Sequence, residues 1–119
     1  MRILIICNCS TGLESFRGML IHELVKKGHV VKAIVPQSDE QQEINAESRL
    51  KKMRCDLKRV PMERRGMNPV KDLGLFHKYY KTVKKMKPDL VITYTIKPNI
   101  YGGMACCLLK IPYAVNITG

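Results

Sequence analysis

Apolar positions in this chain fall into short, nearly unbroken runs separated by longer stretches of helical spacing. Residues 2–7 (RILIIC), 89–94 (DLVITY) and 113–117 (YAVNI) are such runs, and a strand without polar alternation is one covered on both faces, as in a parallel sheet. Residues 30–35 (VVKAIV) form a further strand, and residues 56–60 (DLKRV) a short one placed near a sheet edge by Lys58 and Arg59. After the first strand and a loop at residues 8–14, a helix is expected to run to about Lys27. Its Phe16, Leu20 and Leu24 are spaced i, i+4, i+8 and flanked by Leu13, Ile21 and Val25. Thr11 and Glu14 have capping-box spacing at its start, and Gly28 suits its C-terminal stop. Residues 39–53 are acidic at the start and basic at the end, with a sparse apolar set (Ile44, Ala46, Leu50, Met53), and read as a peripheral helix. The clearest helix follows a loop over residues 62–69: Leu73, Phe76, Tyr80, Val83 and Met86 form its stripe, which should face the sheet. A helix of small residues links the 94–99 loop to the last strand.

This alternation predicts an α/β, Rossmann-like, doubly wound parallel sheet of about five strands, with the order 3-2-1-4-5 once right-handed crossovers are imposed. The switch point then lies between the first and fourth strands. The loops at residues 8–14 and 94–99 should face each other there, across the crevice where open α/β sheets bind ligands.

Length and composition bound the picture. At 119 residues and 45% hydrophobic content the chain has one core and one domain. No run reaches the roughly 18 apolar residues of a membrane span, and Asn8 interrupts the opening run too early for a signal peptide, so a cytoplasmic location is expected. The five cysteines are odd in number, without a C-x-x-C pair or a histidine at zinc-ligand spacing, and read as reduced structural thiols with no metal. His22, His29 and His77 do not stand at the carboxyl end of a strand, so none is placed as a general base.

Charge changes the picture more. Between Arg49 and Lys87 there are fourteen Lys and Arg against three acids, while the rest of the chain balances. The whole excess of +11 thus lies in one third of the sequence, with Arg64, Arg65, Lys71, Lys78, Lys81 and Lys85 as its exposed candidates. Such a field attracts phosphates. Few aromatic residues interleave with these cations, and there is no tryptophan, which argues against nucleic acid. The first loop is a natural phosphate site because a helix N-terminus offers free N–H groups. It has one glycine, Gly12, so the dinucleotide fingerprint is absent, no acid ends the second strand, and no P-loop exists. No nicotinamide, flavin or other cofactor is expected.

Several stretches together carry a family resemblance. RILIIC with the Ser-Thr-Gly loop and Phe16-Arg17, GHVVKAIVP, the Asn68-Pro69 helix entry, and above all PDLVITYTIKPNIYGG and IPYAVNITG resemble the N-terminal domain of family-4 glycosyltransferases of GT-B fold. The resemblance is to the subgroup that builds bacterial surface polysaccharides and lipid-linked oligosaccharides, and it runs the length of the chain. It implies a retaining transferase that moves a sugar, hexosyl or N-acetylhexosaminyl, from a nucleotide-sugar to a lipid-linked or polysaccharide acceptor. Residues 1–119 would be the acceptor-side domain, incomplete at its C-terminus. The donor would bind mainly a second domain, in cis or on a separate chain, which also carries the acidic E-x7-E motif that this sequence lacks. Alone, the chain should be inactive.

By the same resemblance Ser10, Thr11 and Gly12 line the cleft beside the donor diphosphate, although Thr11-Gly12 stands where the family often has paired glycines. Thr95, Lys97 and Asn99 lie on the acceptor side, and Thr118 and Gly119 begin another cleft loop. No catalytic residue is assigned. The basic segment would face the inner leaflet of the plasma membrane and a lipid-diphosphate acceptor. The alternatives are a non-catalytic basic module that binds anionic membrane or RNA, and one subunit of a split transferase.

Overall fold

The computed structural model describes residues 1–62 and 68–116. Its elements run β1 (Arg2–Ile6), α1 (Ser10–Lys26), β2 (Val30–Pro36), α2 (Gln41–Lys52), β3 (Asp56–Val60), α3 (Pro69–Met86), β4 (Leu90–Tyr94), a π-helical turn (Pro98–Gly102) leading into α4 (Gly103–Leu109), and β5 (Tyr113–Asn116). The five strands form one parallel sheet in the order β3-β2-β1-β4-β5, as the crossover argument predicts.

β1 is the centre of the sheet. Ile5 pairs with Ala33 on one side and Ile92 on the other. Because side chains alternate across a strand, Ile3, Ile5 and Cys7 enter the core under α1 and α2, while Leu4 and Ile6 enter the core under α3 and α4. This double coverage is why the run carries no polar alternation.

The helices form where expected, but three of them bury different residues from those the spacing singles out. α1 starts at Ser10, earlier than the capping-box reading requires. Its N-cap is Cys9, whose Sγ accepts from the Gly12 N–H at 3.3 Å, and Glu14 instead meets Arg49 of α2 at 2.5 Å. Its buried face is Leu13 and Ile21, with Leu24 and Val25 beside them, leaving Phe16 78% and Met19 85% exposed. In α2, Ile44 stays exposed while Glu43 and Glu47 are buried with Ala46 and Leu50. In α3, Leu75, Tyr79, Val83 and Met86 pack on the sheet and Leu73 is exposed, a shift of part of a turn. Apolar spacing alone leaves that rotation open, because α1 and α3 carry more apolar residues than one face needs. The start of α3 follows its sequence signals: the Asn68 side chain accepts from the Lys71 N–H, and Pro69 occupies the first turn.

β5 departs further. Expected as a buried strand, it is the sheet's outer edge, and Tyr113, Ala114 and Val115 are exposed. α4 has seven residues, seats Ala105 and Cys106 in the core, and meets β5 where Cys107 Sγ lies 3.3 Å from the Tyr113 hydroxyl. The turn before it comes close to the sheet: a Cβ on Gly102 would stand 3.0 Å from Ile6 and 3.1 Å from Thr93.

The segment after β4 is held down by a carboxylate from α3. Lys97 Nζ lies 2.9 Å from Asp72 Oδ1, with side-chain exposures of 15% and 7%, and the Tyr101 hydroxyl donates to Asp72 Oδ2 at 3.2 Å. Burial, then this hydrogen bond, pushes the Tyr101 phenol above its ordinary pKa. Asn99 adds a second tie, accepting from the Thr93 hydroxyl at 2.8 Å and donating to the Asn116 carbonyl at 2.9 Å, so it joins β4 to β5.

Two outcomes follow from this packing. Burial pushes the Cys55 thiol up to about 12 and the Cys106 thiol up to about 11, and raises that of Cys7 as well, so at pH 8 all three stay protonated and shielded. Iodoacetamide labelling read by peptide mass spectrometry should therefore mark exposed Cys107 first, and these three only after urea unfolding. Asp72→Ala removes the shared carboxylate and should cost about 3 kcal/mol in urea unfolding, with Asp72→Asn intermediate.

Candidate functional site

At the carboxyl edge of the sheet, β1 leads into α1 on one face and β4 leads toward α4 on the other. The strands are neighbours, but their continuations part there and leave a cleft of about 390 Å3 between them. Its walls include Cys9, Gly12, Phe16 and Arg17 from the first side and Tyr94 and Thr95 from the second. The two loops that topology predicts to converge, residues 8–14 and 94–99, thus supply opposite walls of one cleft.

Arg17 crosses it. Its guanidinium carbon stands 4.9 Å from the centre of the Tyr94 ring, a cation–π distance, and its Nη1 donates to the Phe16 carbonyl at 3.2 Å. Phe16, expected in the core, instead forms an exposed apolar lip. Gly12 is confined by the helix cap, because a Cβ there would lie 2.7 Å from Cys9 Sγ. Thr95 adopts φ 73°, a left-handed conformation that costs a β-branched residue ~1–3 kcal/mol. Its hydroxyl donates to the Tyr94 carbonyl, and its own carbonyl accepts from the Asn99 N–H at 2.9 Å. The strained residue reverses the chain at the end of β4 and so shapes that wall.

The N-terminus of α1 already holds an anion from the protein itself. Glu43, 4% exposed, accepts from the Ser10 N–H at 2.6 Å, the Thr11 N–H at 3.3 Å and the Thr11 hydroxyl at 2.6 Å. A carboxylate there satisfies orphan N–H groups and opposes the positive end of the helix dipole, which serves a helix with no acid in its own first turn. A diphosphate can use these two N–H groups only by displacing Glu43, and the Gly12 N–H is engaged by Cys9.

Of the other sequence-predicted residues, Lys97 is bound to Asp72 and Asn99 is occupied between β4 and β5, so Thr95 is the one of those three that lines the cleft. Lys71, Lys78, Lys81 and Lys85 are exposed on α3, away from the cleft walls. Arg64, Arg65, Thr118 and Gly119 lie outside the described residues. Sequence reasoning brought Cys9 and Tyr94 to the crevice only as members of the two converging loops, and it did not place Arg17 there. Arg17 left a signal: it stands four residues after Leu13 and four before Ile21, a charge on the sheet-facing stripe. Among the described residues no three of His, Cys, Asp and Glu group closely enough to hold a metal ion, and no helix is long and apolar enough to cross a membrane.

Known structures share this architecture. MurG of Acinetobacter baumannii superposes with a TM-score of 0.72 at 19% identity, covering 98% of this chain and 34% of its own. A UDP-GlcNAc 2-epimerase from Neisseria meningitidis bound to UDP-GlcNAc gives 0.71 at 14% identity, covering 97% of this chain and 32% of its own. A glycosyltransferase from Rickettsia africae gives 0.69 at 19% identity, covering 96% and 28%. This chain therefore spans about one third of the length of these proteins, and at such identities the likeness is one of fold. No curated protein sequence matches it significantly. The family model described as glycosyl transferase 4-like matches residues 4–119, and with a sheet of the predicted order and a cleft at its switch point, the chain belongs to that glycosyltransferase family as a domain of the N-terminal, GT-B type.

Proposed function

We propose that this chain is the acceptor-side part of a retaining glycosyltransferase that moves a hexosyl or N-acetylhexosaminyl group from a nucleotide-sugar to a lipid-linked or polysaccharide acceptor. It works with a nucleotide-sugar-binding domain, in cis or on a separate chain, and is inactive by itself. The observation that carries this reading is the cleft between β1 and β4 with the Arg17 guanidinium fixed above Tyr94. A delocalised cation held on an aromatic face is suited to a phosphate oxygen, whether of the acceptor's diphosphate or of the departing nucleotide. Gly12 keeps the cleft floor free of a side chain, and Phe16 offers an apolar lip for the lipid or sugar-ring face of an acceptor. Family membership and the UDP-GlcNAc bound to a structural neighbour support the substrate class. Exposed Lys78, Lys81 and Lys85 on α3 hold the domain to the anionic inner face of the plasma membrane, each adding roughly 1 kcal/mol near such a surface.

Transfer of labelled sugar from UDP-GlcNAc to a lipid-diphosphate acceptor tests the division of labour. The chain alone should give no product, and addition of a nucleotide-sugar-binding partner should restore transfer. In that pair Arg17→Ala should lower kcat/KM at least tenfold, about 1.4 kcal/mol of lost stabilisation. Product from the isolated chain would refute the proposed incompleteness, and an unchanged kcat/KM in Arg17→Ala would remove the cleft from the reaction. For the membrane contact, the Lys78→Glu, Lys81→Glu double variant should lose sedimentation with phosphatidylglycerol liposomes. Binding to RNA but not to liposomes would favour a nucleic-acid partner instead.

A further inference from the structure

At the amino edge of the sheet, opposite the cleft, the first residues of β1, β2 and β3 and the last turns of α3 enclose a second depression of about 290 Å3. Arg2, Lys32, Lys58 and Lys85 line it, and Asp56 is the one acid among its lining residues. Strand register explains the crowding. Lys32 lies beside Asp56, and Ile34, two residues on, lies beside Lys58. Ile34 and Val60 are in the core under α3, so alternation puts Lys32 and Lys58 on that same face. α3 runs back over this face toward the amino edge and brings Lys85 to the pocket, with Lys81 and Lys78 one and two turns earlier.

The charges are poorly compensated. Lys32 and Asp56 stand 3.9 Å apart, and Asp56 is itself 76% exposed. Lys58, Lys78, Lys81 and Lys85 form no ion pair among the described residues. Lys58 is half-buried, and its amine is pushed below its ordinary pKa by burial first, then by Lys32, Lys78, Lys85 and Lys81. A partly desolvated ammonium facing four others opposes folding unless a counter-charge is supplied.

We propose that this amino-edge pocket binds a phosphate-bearing anion through Lys58, Lys32, Lys85 and Arg2. A single carboxylate would neutralise one of these cations, whereas a phosphate or diphosphate spreads more charge over several oxygens, each able to accept from a different donor. The pocket is concave and its lining contains no aromatic ring, which favours a discrete phosphate group over a stacked nucleic-acid strand. The group is either a lipid headgroup phosphate or a soluble phosphate compound. The site shares no residue with the cleft, so it stands whether or not the cleft transfers sugar.

Calorimetric titration of the intact chain with inorganic pyrophosphate at fixed ionic strength tests it. Binding should be one to one, and Lys58→Met and Lys85→Met should each weaken it at least tenfold. Lys85 is exposed, so its variant keeps the test alive if Lys58→Met does not fold. Pyrophosphate should also raise the Tm of the wild type and not that of the variants. Phosphatidylcholine vesicles with and without phosphatidic acid separate the two sources. Sedimentation that needs phosphatidic acid and Lys58, and that pyrophosphate competes away, identifies a lipid headgroup; pyrophosphate binding without sedimentation identifies a soluble ligand. Equal affinity in wild type and both variants, no binding at all, or loss of binding in Arg17→Ala with Lys58→Met unaffected would each overturn the assignment.

Discussion

The double burial of β1 is the constraint on which the remaining structure depends. Leu4, Ile5 and Ile6 have no exposed surface at all, and this requires helices above and below a strand that is hydrogen-bonded on both edges. Right-handed crossovers that move in one direction along a sheet all cover the same face, so a chain can cover both faces only if its direction of winding reverses somewhere. It reverses between β1 and β4, and the cleft is the space left by that reversal. The position of the site is thus a consequence of how an apolar strand is covered.

The walls of the cleft are fixed by two buried acids donated from neighbouring helices. Glu43 of α2 holds the start of α1, and Asp72 of α3 holds Lys97 and Tyr101 beyond the end of β4. Each carboxylate is placed where a charge-assisted hydrogen bond replaces the water it has lost. Both loops are therefore anchored before any ligand arrives, and the left-handed Thr95 is sustained between an ordered strand and an ordered turn. Pre-organisation of this kind lowers the ordering cost of binding. Within the cleft, the Arg17–Tyr94 contact is the polar feature that these anchors leave facing open space.

Charge is distributed separately from this framework. Cations of β2, β3 and α3 collect toward the amino edge, while the cleft at the carboxyl edge holds Arg17 as its cation. The cations of the amino-edge pocket and the groove at the switch point are accordingly distinct surfaces. The first is a field for phosphates, and the second is a shaped wall that has one fixed positive group. The exposed edge strand β5, with Ile100, Met104 and Leu108 beside it, is a third surface, left apolar by the shortness of α4.

Strand identity, sheet order and the convergence of the two loops were legible in the chain because they rest on period and connectivity, which are properties of sequence neighbours. The family could be read from TYTIKPNIYGG and its flanking strands for a similar reason: that stretch encodes the close approach of Gly102 to Ile6 and Thr93 as well as the Asn99 tie between β4 and β5. Which face of α1 and α3 turns inward was not legible, since several apolar stripes compete in each helix and the contacting sheet surface chooses among them. Phe16 and Leu73 went to solvent on that account. Nor could the sequence assign partners to Glu43 and Asp72, which meet residues 32 and 25 positions away. Local sequence therefore determined where a site could exist. Tertiary packing decided which side chains occupy it, because burial and ion pairing depend on surfaces that come together only when the sheet has closed around β1.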